Sequence, residues 1–284
     1  MSWKDRRGVV MRVVTAMGRR DHYAHFILDF MIPVWNWLRQ NELLYREDFT
    51  VYFRDESVEN FRPIINSFFH CNIRPASELD GDGADLERVM VVGMESHNRK
   101  IMGLGLDNYF NDAVAWLDEL QDYTFKKLGV KPDEELGSLV LVDRPGNNPK
   151  RAGGRRNTSN MEEIASAMRL TAARKKLEYK RVALEDIPFR EQVLTFANAK
   201  AVVAQHGASL VNLLWMRRGS VLVEYHWNDK EAYRKRQFCR WFQRPLHVHV
   251  TGPRTETRPT VDGAVRGAVE APVDGIIGAL ENRI

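Results

Sequence analysis

Three groups of residues have types and spacings that can do chemistry. In the first, Gln205, His206 and Gly207 break an apolar run at 201–204, and Ser209 follows in the first turn of an expected short helix, 208–216. A turn at 217–219 and a second apolar run at 220–225 complete a strand–turn–helix–strand unit, the building block of a parallel α/β sheet. Such sheets bind ligands at the carboxyl ends of their strands, often with an anion at a helix N-terminus. Gly207 would let a ligand approach the backbone closely. A structural crossover whose histidine caps the turn has the same pattern, because His-Gly is a short motif.

The second group lies on an expected helix, 22–41. His22, His25 and Asp29 fall at i, i+3 and i+7, beside an apolar face of Phe26, Ile27, Phe30, Met31, Val34, Trp35 and Leu38. The stripe fits a polar helix edge packed on the sheet, a catalytic edge facing a cleft, or a His-His-Asp metal site. Pro33 has no N–H for the carbonyl of Asp29, so this helix must kink or open there.

The third group is a loop, 143–157, that carries Arg144, Lys150, Arg151, Arg155 and Arg156 between a strand end and a helix start. Guanidinium groups bind phosphate in a bidentate fork, so the loop fits a diphosphate. A solvated basic loop and a nucleic-acid patch remain alternatives, although the loop holds no aromatic residue on which a base would stack. Asp80 and Asp82, in an acidic stretch at 78–85, read as a solvated loop.

Alternating strands and helices must position these groups. Strands are expected at 9–17, 49–54, 89–92, 139–142, 182–184, 201–204, 220–225 and 247–250. Helices are expected at 22–41, 58–69, 107–128, 160–176, 190–197, 208–216, 231–242 and 273–284, with Asn160 as an N-cap. The strand at 89–92 reads as buried, and 251–272 as a surface stretch. The pattern restarts after a charged, Pro-containing segment at 129–136. That divides the chain into a first Rossmann-like domain, 1–130, and a second, 131–272; the terminal helix, 273–284, either belongs to the second or returns to the first. The fold class is α/β.

The chain has 284 residues, a net charge of +4 and two cysteines, Cys71 and Cys239. Two cysteines exclude a disulfide framework and a cysteine zinc site. No apolar run approaches the ~20 residues that span a membrane, and the first ten residues are charged, unlike a secretory signal. A cytoplasmic protein with a mild preference for anionic partners is expected; nothing bears on the oligomeric state.

With those features in view, the run 139–225 resembles the catalytic region of family 61 glycosyltransferases. The matching features, in order, are the strand ending at Arg144, the basic loop closing with Arg155 and Arg156, Asn160-Met161-Glu162-Glu163, Glu185 with Phe189-Arg190-Glu191-Gln192, His206-Gly207-Ala208-Ser209-Leu210-Val211-Asn212, and Gly219-Ser220-Val221-Leu222-Val223-Glu224. Upstream, His25-Phe26-Ile27-Leu28-Asp29-Phe30 is similar to that family's His-rich helix. The sequence departs from the family where Ser209 replaces a usual glycine and Arg217 and Arg218 replace prolines. The resemblance implies a GT-B fold, two Rossmann-like domains facing across a cleft. It implies a UDP-sugar donor in the second domain, a glycan acceptor, inversion at the anomeric carbon, and no metal or other cofactor. Asp29 is then the expected base, with His25 orienting it or serving as the base itself. Arg144, Arg155, Arg156, Glu185, His206, Gly207, Ala208, Ser209, Asn212 and Glu224 are the expected donor-binding residues, with Glu224 on the ribose hydroxyls. Members encoded by large algal viruses are similarly compact, which implies xylose as the sugar and a host cytoplasm as the location. N-acetylglucosamine is the family's other sugar. The alternatives without transfer are another nucleotide-dependent enzyme, though the chain has no G-x-G-x-x-G after its first strand, and a non-catalytic nucleotide- or nucleic-acid-binding protein.

Overall fold

A computed structural model describes residues 7–14, 23–53, 57–79, 86–92, 109–143, 158–226, 245–259 and 265–284. The chain divides into two compact units, 1–111 with 126–129, and 112–125 with 130–284.

The first unit holds a four-stranded parallel sheet: β1 (Gly8–Val14), β2 (Thr50–Phe53), β3 (Asn72–Pro75) and β4 (Glu87–Val92), in the order β3-β2-β1-β4. Strand β3 was not expected: its four residues include Pro75 and the exposed Asn72 and Arg74, so no apolar run announces it. Strand β4, expected to be buried, is a sheet edge with Met90 66% exposed. Between β1 and β2 the chain makes a helical turn at Tyr23–His25, a π-helix at Phe26–Met31 and an α-helix, α1 (Ile32–Gln40). In the π-helix, Ile32 N–H reaches Ile27 O, five residues back. The opening expected from Pro33 thus takes the form of one extra residue in the ladder. Aromatic packing holds it, with Phe26 stacked on Phe61 at 4.2 Å and Phe30 against Phe53 at 4.4 Å. The expected helix at 58–69 is two, α2 (Ser57–Asn60) and α3 (Arg62–Phe68), with Pro63 in the first turn of α3.

Helix α4 (Tyr109–Leu128) leads towards the second unit's sheet. That sheet has five parallel strands: β5 (Ser138–Asp143), β6 (Glu178–Ala183), β7 (Ala199–Gln205), β8 (Val221–His226) and β9 (Leu246–Thr251), ordered β6-β5-β7-β8-β9. Its central strands are apolar and buried on both faces, as parallel strands under helices must be. Helix α5 (Met161–Arg174) buries Ile164, Ala165, Met168, Thr171 and Ala172, one helical stripe, on Leu139, Leu141, Ala201 and Val203. Helix α6 (Phe189–Ala197) precedes β7. Gly219 takes φ +84° in the turn before β8, a conformation that glycine adopts without strain.

Several expectations are corrected here. Residues 208–215 form a 3₁₀-helix, Ala208–Trp215, not an α-helix. Its i, i+3 side chains eclipse, which lets Trp215 Nε1 donate to Asn212 Oδ1 at 3.1 Å. Asn160 does not cap α5 through its side chain, because its amide is exchanged with the backbone of Ala271 (2.8 and 3.0 Å). Within the stretch 251–272, β10 (Arg254–Pro259) and β11 (Val265–Val269) pair antiparallel. The terminal helix, α7 (Val273–Glu281), packs on α5, β8 and β9 with Ile276 and Leu280 buried, so it belongs to the second unit. Gly275 permits this: a Cβ there would meet Val250 Cγ1 at 2.7 Å. The basic helix expected at 231–242 lies outside the described residues. No helix among the described residues is long and apolar enough to cross a membrane.

Candidate active site

The order β6-β5-β7-β8-β9 has one reversal point. From β5 the chain crosses to β6 on one side, and from β6 it returns past β5 to β7 on the other. The connections leaving β5 and β7 therefore diverge, and ligands of open α/β sheets bind in the crevice this makes beyond the strand ends. A narrow recess sits there, lined by Val142 of β5, Thr158 and Met161 at the start of α5, Gln205 at the end of β7, and Ser209. The basic loop leaves β5 at Asp143 and returns at Thr158, so the recess is flanked by both of its ends. Arg144, Arg155 and Arg156 themselves lie outside the described residues.

Two side chains that line the recess carry buried polar atoms with no partner among the described residues, while Thr158 Oγ1 is hydrogen-bonded to Tyr225 Oη at 2.8 Å. Gln205 is 5% exposed, and its Nε2 has no partner among the described residues; nor does the buried Oγ of Ser209. A buried N–H without a partner costs roughly 1–3 kcal/mol. The α5 N-terminus adds backbone N–H groups with no side-chain cap and the positive end of a helix dipole. The carboxylates nearby are matched: Arg181 donates to Asp143 at 2.8 Å and lies 2.7 Å from Glu162. Hydrogen bonding to Glu162, outweighing partial burial, and to Asp143 raises the Arg181 guanidinium above its usual pKa, and the bond to Arg181 lowers the Glu162 carboxyl.

Beside the recess lies a cluster around Glu224, which is fully buried. One of its oxygens meets His206 Nδ1, and the other lies 2.6 Å from His247 Nε2. Burial alone would push this carboxyl up, but the hydrogen bonds of His206 and His247 outweigh it and hold the pKa at about 2. An ionised carboxylate only accepts. His206 Nδ1 and His247 Nε2 are therefore the donors.

Of the expected donor-binding residues, the structure brings His206, Gly207, Ala208 and Ser209 together at the crevice. Glu185 is exposed in a short 3₁₀ turn, Leu184–Asp186, after the outer strand β6. Glu224 is at the expected strand end, but with no exposed surface and both oxygens engaged by histidines it has nothing to present to a ribose. Asn212 is also fully buried; its amide donates to Gln192 Oε1 at 3.2 Å and its carbonyl accepts from Trp215. That places it in the packing beneath the crevice. Gln205 and His247 were not among the expected residues. Gln205 reads as part of a turn, and His247 lies far along the chain on a strand that pairs with β8 only through the fold.

In the first unit, His25 and Asp29 come together inside the π-helix, with Nδ1 and Oδ2 2.9 Å apart. Asp29 is fully buried and His25 is 5% exposed, which fits a packed rather than a solvated helix edge. His22 lies outside the described residues. Among the described residues no group of three or more His, Cys, Asp or Glu has the geometry to hold a metal ion.

Two parallel sheets, one in each unit, define a Rossmann-like α/β protein. The family model described as Glycosyltransferase 61 matches residues 23–223, well over half of the chain, and the chain belongs to that family. It is a glycosyltransferase, an enzyme that binds a sugar donor and an acceptor. A search of curated proteins found no match to the chain.

Proposed function

We propose that the protein is an inverting, metal-independent transferase that moves a sugar, xylose by preference, from a UDP-sugar to a glycan hydroxyl, with its two units in the GT-B arrangement. The observation that carries the donor side is the recess whose Gln205 and Ser209 groups have no partner among the described residues. A diphosphate there would accept from Gln205 Nε2, Ser209 Oγ and the N-terminus of α5. Arg144, Arg155 and Arg156, on the loop joined to both sides of the recess, would neutralise the charge that grows on the departing UDP. Losing any one of these arginines should cost roughly 1.5–3 kcal/mol of UDP binding, the scale of a charged hydrogen bond.

On the acceptor side, Asp29 has no exposed surface, so His25 is the better base. Asp29 holds His25 Nδ1–H, and the second ring nitrogen removes the proton from the attacking hydroxyl. This is the second of the two expected arrangements, with His25 itself as the base.

Calorimetric titration with UDP, UDP-xylose and UDP-N-acetylglucosamine, with chelator present, tests this reading. Binding of UDP, tighter for one sugar nucleotide, supports it and names the donor. No binding to any of the three overturns it.

A further inference from the structure

Four of the chain's eight histidines surround one carboxylate on the second unit's sheet. The groups that face Glu224 are His206 from the end of β7, His226 from its own strand with a ring 5.1 Å from His206, and His247 and His249 from β9. His249 is the register partner of Glu224. His247 is buried, and its Nδ1 has no partner among the described residues. Glu224 only accepts, so the ring of His247 presents Nε2–H to it.

We propose that His247 is a positioning residue that acts on His206 through Glu224. By donating to one carboxylate oxygen, His247 aims the other at Nδ1–H of His206 and sets that ring's tautomer and orientation. His206 then acts on the donor through Nε2. The proposal rests on the reading of the crevice as the donor-phosphate site. When an anion arrives, Nε2 takes up a proton from solvent and donates it in a hydrogen bond to a phosphate oxygen; no bond to the sugar is made or broken by the ring. A histidine with its proton on Nε2 alone and Nδ1 bare would face Glu224 with a lone pair, so the carboxylate selects the tautomer, and His247 stops the carboxylate from turning away.

The test is long-range ¹H–¹⁵N NMR of the histidine ring nitrogens in the full chain at about pH 8.5, above the ordinary histidine range, with kcat and KM measured alongside. The proteins are the wild type, His247→Gln and His247→Leu. His206 should carry its proton on Nδ1 in the wild type and in His247→Gln, whose amide donates in the same direction. In His247→Leu both tautomers should appear, with kcat at least tenfold lower and the acceptor KM unchanged. A bare Nδ1 on His206 in the wild type overturns the proposal. So does a folded His247→Leu protein with wild-type His206 signals and kcat, or, should that variant not fold, a His247→Gln protein that loses the Nδ1–H tautomer. The spectra need no substrate. A wild type inactive with every donor would count against the proposed function, and the ring nitrogens would still decide the role of His247.

Discussion

Asp29 lies inside a π-helix, and Pro33, four residues later, has no N–H to offer its carbonyl. The extra residue that this break admits lies within the turns that carry Phe26 and Asp29. It rotates everything N-terminal to it by about 100° relative to α1, one residue's step of an α-helix. The buried His25–Asp29 pair, whose i, i+4 spacing a regular helix also brings together, thus sits in an irregularity that costs helix stability, a pattern often found at functional sites.

Replacing Pro33 with alanine should restore the missing donor and favour a regular helix. The expected outcome is a higher melting temperature with a loss of transfer. Melting and turnover measured on one preparation check it; a more stable enzyme with full activity would show that the π-helix has no catalytic part.

Asp29→Asn should lower kcat by about 100- to 10,000-fold, the range of general acid–base contributions, while UDP affinity stays unchanged. The amide can still occupy the space beside His25 Nδ1, so the fold should survive. Single-turnover rates and UDP titrations separate the two effects. Turnover near the wild-type value would remove the dyad from the mechanism.

Gln205→Leu should move stability and binding in opposite directions. Losing a buried donor that has no partner among the described residues should be neutral or stabilising, whereas UDP affinity should fall by about tenfold, the worth of one hydrogen bond to a charged acceptor. Thermal melts with and without UDP read both quantities at once.

Asn212→Ala should do the reverse. It leaves Trp215 Nε1 and Gln192 Oε1 without their bonds in a fully buried place, at about 2 to 3 kcal/mol. Denaturant unfolding should show the loss, and UDP affinity of the folded fraction should not change. A weakened affinity at unchanged stability would return Asn212 to the donor site.

Acid should weaken the second unit. The Glu224 carboxyl sits at about 2 in the folded protein against an ordinary 4.5. A carboxyl held below its unfolded value contributes stability that is complete above about pH 4.5 and is lost as pH falls towards 2. Melting temperature should therefore drop between about pH 5 and pH 2, and Glu224→Gln, less stable at neutral pH, should show a shallower drop.

Much of this protein is legible along the chain. Alternating apolar runs and helical periods mark most of the strands and helices, Pro33 marks the break in the first long helix, and the His206-Gly207 turn marks the carboxyl edge of the second sheet. These are local signals, set by φ/ψ preference and by side-chain period. Only the tertiary structure decided strand order, and with it the reversal point that puts β5 beside β7 and makes Gln205 a lining residue. It also decided that Glu224 faces His206 and His247 rather than a ribose, and that Asn212 points into packing rather than into the crevice. Parallel strands are apolar on both faces, so their sequences carry no alternation to say which face, or which neighbour, a residue meets. That choice is made by pairings between residues tens of positions apart, whose energy lies in burial and not in any local pattern.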